Sequence, residues 1–246
     1  MRFAALVIWV CWLVPSAASG LNFSVGDVSV SDLTAFGFLN TPAGNEGLSF
    51  DGGVTDELYE HFGYLGNRNG LVRIDDSNFS VVSGLTQAGN SASASLALNA
   101  TGAAALGLSA NDILIDHTFT LIDDVTASDA DEFRSDITLT NDSGARQALR
   151  YYSYLDLDLA GTFANDSATG DQSGIFITDG SSGSSWLIAG GSDRYEVAAY
   201  ATLRDKLDGW RRSRILANSG TPFGPGDFTA AQQINFNNFA DQGSVS

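Results

Sequence analysis

Hydrophobic and polar residues alternate with a period of two along most of the chain, which is the pattern of β-strands that bury one face. One long run carries five core-type residues at alternate positions: Ile113, Ile115, His117, Phe119 and Leu121. Similar runs cover residues 133–140 and 228–237. Clusters rich in Gly, Asn and Ser separate these runs and predict turns, so the pattern as a whole predicts about a dozen strands.

Helical signals are few in this sequence. Residues 100–111 are rich in alanine but are interrupted by Gly102 and Gly107, which leaves room for one helical turn. Many short strands without alternating helices are typical of an antiparallel sandwich or barrel. We expect an all-β fold, an antiparallel β-sandwich of about a dozen strands. No linker-like segment divides residues 21–246, so we expect a single large domain there.

The segment at 133–159 carries most of the chemical information. It predicts a hairpin in which an NDSG turn joins a strand to a longer strand. One face of the longer strand is core-like, with leucine at three alternate positions. The other face shows aromatic rings followed by paired carboxylates: Arg150, Tyr152, Tyr154, Asp156 and Asp158.

Three interpretations of this second face remain open. It is a solvated or second-layer sheet face, since tyrosine is a good strand residue. Alternatively, it is a sugar-binding platform, because aromatic rings stack on sugars while carboxylates and guanidinium groups bind hydroxyls. The third interpretation is the acid pair of a glycosidase, formed by Asp156 and Asp158.

Three segments resemble a group of known proteins. The strings LRYYSYLDLDLAGT, DRYEVAAYATLRDKL and PFGPGDFTAAQQ are similar to segments of secreted β-sandwich proteins of Gram-negative bacteria, many with a PEP-type C-terminal sorting tail. The resemblance covers residues 110–240, whereas the tail, its apolar helix and its basic stop are absent here. It implies a β-sandwich outside the cell and carries no catalytic motif.

Calcium is the one cofactor for which the sequence offers candidate ligands. Residues 156–167 place Asp and Gly as an EF-hand loop does at its first, third and sixth positions. Ala160 and Ser167 stand where that loop needs oxygen ligands, so an EF-hand is excluded. A looser calcium site remains open, with four candidate ligands: Asp156, Asp158, Asp166 and Asp171.

A basic island follows between residues 204 and 214. The dipeptide Asp208-Gly209 is typical of a tight hairpin turn, and this turn would place Lys206 opposite Arg211. Like charges in opposed positions are unfavourable, so either the register differs or an anion lies between them. Neutralisation by nearby acidic residues is the simpler alternative.

The island also supplies a second set of candidate binding residues: Trp210, Arg211 and Arg212. An aromatic ring beside guanidinium groups suits a uronic-acid polymer, through stacking on the sugar and forked hydrogen bonds to its carboxylates. An acidic face of another copy of the chain is the alternative partner.

Common catalytic signatures are missing from the chain. It has one cysteine, Cys11, and two histidines, His61 and His117, and it lacks the usual zinc, nucleophile-elbow and nucleotide-binding motifs. His117 alternates with apolar residues and is predicted to lie in the core or at its boundary. His61 has Glu57 and Glu60 nearby, which is weak evidence for an acid–base or metal site.

The first twenty residues predict a secretion signal, with Arg2 before an apolar stretch and small residues after Pro15. The chain has 12 Lys and Arg against 29 Asp and Glu, a net charge of −17. Such a field repels nucleic acid and anionic membranes. A bacterial periplasmic or extracellular location therefore fits, without membrane insertion after signal cleavage.

Together these patterns predict a secreted, non-catalytic cell-surface or extracellular-matrix protein that binds polysaccharide or has a structural role. Two alternatives remain open. One is a carbohydrate-active enzyme, a hydrolase or lyase that uses Asp156 or Asp158. The other is a calcium-stabilised adhesion or surface-layer subunit. Self-association is left open as a further kind of partner.

Overall fold

The computed structural model describes residues 20–39, 47–50, 56–123, 131–162, 164–181, 185–189, 191–211 and 214–246. In this part of the chain we find sixteen strands and two short helices: β1 (Leu21–Val25), β2 (Val28–Leu33), β3 (Gly47–Ser49), β4 (Leu58–Gly66), β5 (Leu71–Arg73), β6 (Phe79–Ala88), β7 (Ser91–Leu98), α1 (Ala100–Leu106), β8 (Ile113–Ile122), β9 (Glu132–Asn141), β10 (Gln147–Leu157), β11 (Asp166–Asp171), β12 (Gly174–Asp179), β13 (Ser185–Ala189), β14 (Arg194–Ala199), α2 (Thr202–Asp208), β15 (Phe228–Phe239) and β16 (Gly243–Val245). The predicted all-β class is confirmed.

The strands form four antiparallel sheets. Two have three strands, in the orders β1-β2-β3 and β11-β12-β13. The other two have five: the β10 sheet is ordered β14-β15-β10-β4-β5, and the β8 sheet β16-β9-β8-β7-β6. The four sheets are arranged in a ring like the blades of a small propeller, so the finer prediction of a sandwich is wrong. Period-two alternation shows that a strand buries one face, but it does not show which sheet covers that face.

All four sheets bury residues in one apolar cluster. Its members include Val30 of β2, Phe119 of β8, Leu155 of β10 and Ile175 of β12. A second cluster lies where the β8 and β10 sheets meet α1, and a third covers the opposite face of the β10 sheet. The β10 sheet is therefore buried on both faces, which determines what its polar side chains can reach.

The predicted hairpin at 133–159 is wrong in its pairing. Both strands form, but β9 pairs with β8 and β16, whereas β10 pairs with β4 and β15. The turn between them passes from one sheet to another. Asn141 is buried at the end of β9, and its side-chain amide donates to the carbonyls of Phe239 and Ala240, at 3.1 and 3.0 Å. This contact anchors the turn to the end of β15 instead of closing a hairpin.

The predicted turn at Asp208-Gly209 is also wrong, because the preceding residues form the helix α2. Leu203 and Leu207 are spaced by four residues, so they lie on one helical face, and both are buried. Gly209 is the C-cap of the helix. Lys206 and Arg211 therefore do not face each other across a hairpin.

Two other local predictions are confirmed. The alanine-rich segment forms α1, which begins after Asn99 and ends before Gly107, with Asn99 accepting hydrogen bonds from two helical amides. On β8 the alternating apolar residues are buried, and His117 is 3% exposed, with Nε2 2.8 Å from Ser135 Oγ. Burial lowers the pKa of His117 to about 3.

Among the described residues, no helix has both the length and the apolar character needed to cross a membrane. Residues 1–19, which hold most of the predicted secretion signal, lie outside the described part of the chain. The predicted signal therefore stays a prediction.

Candidate functional site

Tyr152 and Tyr154 lie on the face of β10 that α2 covers. Both are fully buried, at 0% exposure, and they pack with the helix residues Leu203 and Leu207 and with Leu216. The expectation of an exposed sugar-stacking platform is therefore wrong. The rings belong to a second apolar layer, which was one of the three interpretations of this face.

Hydrogen bonds fix this second layer from two sides. The hydroxyl of Tyr152 donates to the carbonyl of Arg214, beyond the helix. Tyr64 of the neighbouring strand β4 donates to Asp208 at 2.7 Å, at the end of α2. Apolar packing and hydrogen bonds therefore both hold α2 and the segment after it against the β10 sheet.

Arg150 does not join the other members of the predicted row. It lies half-buried near the start of β10, six residues before Asp156. An extended strand rises about 3.3 Å per residue, which separates the two backbone positions by about 20 Å. The structure therefore splits the predicted row into an arginine near the start of the strand, a buried pair of rings and a carboxylate end.

The carboxylate end forms a cluster of three: Asp156, Asp158 and Asp227. Each offers a carboxylate oxygen, and these oxygens all lie within 4.8 Å of one another. Asp156 is 1% exposed, while Asp158 and Asp227 are partly buried. We call these three residues the carboxylate cluster.

Strand register explains why Asp227 joins the cluster. β10 and β15 are antiparallel and pair Asp156 with Thr229. Continuing that register by two residues places Asp158 opposite Asp227, just beyond the last paired residues. The sequence alone does not show this, because nothing in it says that the strand after Asp227 lies beside β10.

The cluster is electrostatically unfavourable without a counter-charge. Burial raises the pKa of Asp156 to about 8, and Asp158, Glu60 and Asp227 add repulsion that Arg204 opposes in part. The pKa of Asp158 is raised to about 6 by burial, followed by repulsion from Asp227 and Asp56. Burial also raises the pKa of Asp227.

The neighbouring cation is already engaged. Arg204 Nη1 of α2 donates to both carboxylate oxygens of Glu60, at 2.9 and 3.1 Å. Glu60 lies on β4 directly opposite Asp156. The positive charge of Arg204 is therefore shared between Glu60 and the cluster, and its ion pair is made to Glu60.

The other two predicted calcium ligands lie outside the cluster. Asp166 is fully buried at the start of β11, and burial raises its pKa to about 7 while the Leu159 amide lowers it in part. Asp171 is exposed at the end of the same strand and accepts a hydrogen bond from the Ser173 amide. The structure therefore joins two of the four predicted ligands and adds a third that was not predicted.

His61 is also buried and does not face Glu60, because neighbouring strand residues point to opposite faces. Its Nε2 lies 3.4 Å from Ser153 Oγ, and its ring packs edge-on against Phe133. Burial lowers the pKa of His61 to about 4. This environment is that of a core histidine and not that of an acid–base catalyst.

A second chemical feature lies on the surface beside α2. Five residues line a cleft of about 680 Å³: Arg68, Asn69, Gly209, Arg211 and Arg214. We call it the basic cleft. Arg68 comes from the turn between β4 and β5, where Asn67 accepts hydrogen bonds from the amides of Asn69 and Gly70. Of the predicted second set of binding residues, Arg211 lines the cleft and Arg212 lies outside the described residues.

Trp210 lies beside the cleft in sequence but is only partly exposed. Its ring meets Tyr152 edge-on at 6.0 Å between centroids, and the Lys206 ammonium lies 5.5 Å from its centroid. The indole is therefore only partly exposed, next to Arg211 in the sequence. It does not form a flat, fully open platform.

The basic island divides into two groups. Arg204 and Lys206 form ion pairs with the buried carboxylates of Glu60 and Glu196. In the part of the chain that the structure describes, the three arginines of the basic cleft form no such pair within 4.0 Å. The basic residues of α2 are thus paired with buried carboxylates. The arginines of the segment after α2 have no such ion pair among the described residues.

The sequence matches no protein-family model, and the curated proteins include none that matches it. The function is therefore argued from the two features of this chain that carry chemistry. These are the basic cleft on the surface and the carboxylate cluster at the end of β10.

Proposed function

We propose that this protein is a non-catalytic binding protein for acidic polysaccharide, acting at the cell surface or in the extracellular matrix through its basic cleft. One observation carries the proposal. Three arginines from two distant segments line the same cleft, and among the described residues no carboxylate pairs with them.

The charge of the whole chain makes this grouping informative. The net charge is −17, so acidic partners for surface arginines are plentiful in the sequence. Three like charges around one cleft repel each other, and a bound anion offsets that repulsion. Because a guanidinium group binds a carboxylate with two parallel hydrogen bonds, carboxylate-bearing ligands fit such a cleft.

A uronic-acid polymer suits the cleft better than nucleic acid does. The acidic field of the protein opposes a partner with the dense charge of DNA, about one phosphate per 1.7 Å of helix. A uronate polymer spaces its carboxylates one sugar ring apart and has apolar ring faces between them. Trp210, which is partly exposed and precedes Arg211, offers such a face an apolar contact.

The burial of Asp156 argues against the hydrolase alternative. A glycosidase needs carboxyl groups that contact the scissile bond. Asp156 is 1% exposed, so its carboxyl group is not accessible to a sugar chain bound at the surface. Binding without cleavage is the expected outcome, and cleavage is measured in the same experiment.

Calorimetric titration with polygalacturonate tests the proposal, with dextran as a neutral polymer and with reducing ends assayed after each titration. We expect Arg211→Ala to weaken uronate binding by about 10- to 100-fold, since hydrogen bonds to charged groups contribute about 1.5–3 kcal/mol. Arg68→Ala tests the contribution of the distant turn in the same way. Arg146→Ala is the matched control, because Arg146 is exposed elsewhere and its loss changes the net charge equally.

Three results would contradict the proposal. Equal loss of affinity in Arg146→Ala and Arg211→Ala would indicate a general charge effect. Failure of the wild type to bind any uronate polymer, together with self-association that Arg211→Ala removes, would assign the cleft to an acidic face of a second copy. Release of reducing ends that disappears in Asp158→Asn would indicate an enzyme.

A further inference from the structure

The carboxylate cluster brings three acidic oxygens to the junction of two strands. Asp156 and Asp158 are two residues apart at the end of β10, and Asp227 directly precedes β15. Their oxygens lie within 4.8 Å of one another. Two oxygens bound to the same calcium ion at 2.3–2.6 Å are at most about 5 Å apart. One ion can therefore contact all three carboxylates.

A second observation is independent of this proximity. Asp156 is 1% exposed, and its Oδ1 atom is buried without any hydrogen-bond partner. A buried carboxylate oxygen without a donor is strongly unfavourable, and native structures rarely leave one unsatisfied. The carboxyl group that carries this oxygen belongs to the cluster, so a buried and incompletely satisfied side chain lies at the point where a cation would bind.

The protein's own cations do not satisfy that oxygen. Arg204 is the basic residue that opposes the negative charge at Asp156, and its ion pair with two hydrogen bonds is made to Glu60. A site with several carboxylates and one shared arginine keeps an excess of negative charge. A divalent cation supplies the missing positive charge and the missing partner at the same point.

We propose that Asp156, Asp158 and Asp227 bind one calcium ion that joins the end of β10 to the start of β15. Carboxylate oxygens are ligands for hard cations, and calcium accepts six to eight oxygens in a flexible geometry. Magnesium demands a near-ideal octahedron and usually keeps several waters with one or two carboxylates, so three converging carboxylates favour calcium. This site does not depend on polysaccharide binding at the basic cleft.

Thermal unfolding of the full chain in chelator, in calcium and in magnesium tests the site. At a hundredfold excess over Kd, calcium is expected to raise the Tm of the wild type by about 5–10 °C. Asp227→Asn is expected to lose this rise. In chelator the same variant is expected to melt no lower than the wild type, because it removes repulsion within the cluster. Asp158→Asn provides a second variant with the same expected pattern.

Asp76→Asn is the matched control, since Asp76 is exposed and distant in sequence from the cluster. It removes the same charge and is expected to keep the full calcium response. Calorimetric titration should show one calcium ion per chain that Asp227→Asn abolishes and Asp76→Asn retains. Absence of binding in the wild type, or an equal Tm rise in Asp227→Asn, would overturn the site. A rise with magnesium alone would overturn the assignment to calcium.

Discussion

Glu60 is a buried carboxylate that forms an ion pair with a residue of α2. Its side chain is 3% exposed, and that of its partner Arg204 is 24% exposed. Burial raises the pKa of Glu60, and Arg204 lowers it in part. The pair therefore links β4 to α2 through charge, at the same place where the apolar second layer links them through packing.

We predict that Arg204→Gln destabilises the protein by about 2–4 kcal/mol, because removal of one partner leaves a buried charge uncompensated. The partial exposure of Arg204 places the expected value at the lower side of that effect. Urea unfolding measures the difference. The double variant Arg204→Gln/Glu60→Gln is expected to recover most of the loss. If the two losses simply add, the ion pair does not couple the strand to the helix.

At the scale of elements, α2 determines what the β10 sheet exposes. Seven residues of helix cover two tyrosines that would otherwise present their rings to solvent. The same helix ends at Gly209, where the basic cleft begins. One short helix therefore both buries the two tyrosines and forms one end of the basic cleft.

We predict that Leu207→Ala lowers the free energy of unfolding by about 2–5 kcal/mol, because it leaves a cavity in a fully packed layer. Leu187→Ala is the matched control, since Leu187 is 61% exposed on β13 and its truncation is expected to change stability by less than about 0.5 kcal/mol. Chemical denaturation compares the two. Equal effects would mean that α2 is not packed as a cover.

The sequence predicted which face of each strand is apolar better than it predicted which strands pair with each other. Alternation on β8 identified the buried side correctly, including His117, because burial of one face is a local property of a strand. One neighbour of β10 in its sheet is β15, which lies about eighty residues later in the sequence, and no local turn signal specifies this pairing. The hairpin prediction at 141–145 failed for this reason.

The short helix α2 and the contacts between distant segments were missed for similar reasons. The spacing of Leu203 and Leu207 is helical, but seven residues are fewer than the 11–18 over which periodicity is read, and Asp208-Gly209 favoured a hairpin. Asp227 and Arg68 each acquire their role from tertiary proximity. The sequence therefore predicted the chemical groups of the candidate sites, carboxylates and guanidinium groups. It did not predict which of these residues the fold brings together.

At the scale of the whole molecule, two buried histidines on different sheets limit stability in acid. Burial lowers the pKa of His61 to about 4 and that of His117 to about 3. A histidine with a lowered pKa binds protons more readily when unfolded. The stability it contributes is present above its unfolded pKa of about 6.5 and is lost as the pH falls toward the folded value.

We predict that the wild type loses about 2 kcal/mol relative to His117→Gln between pH 7 and pH 5, from the unfolded pKa of about 6.5 alone. Urea unfolding of both proteins at each pH measures the difference. The carboxylate cluster titrates in both proteins, so its effect cancels in the comparison. A difference that stays constant with pH would show that His117 is not held neutral by burial.

The order of strands in the β10 sheet has a consequence for biosynthesis. β10 lies between β4, made early, and β15, which ends at Phe239 near the end of the chain. At about 5–20 residues per second, roughly 10–40 s separate the emergence of the first of these strands from the last. Throughout that interval the sheet stays incomplete, and β10 lacks one neighbour from its own emergence until that of β15. The nascent chain therefore remains open to chaperones or a translocation channel until β15 emerges.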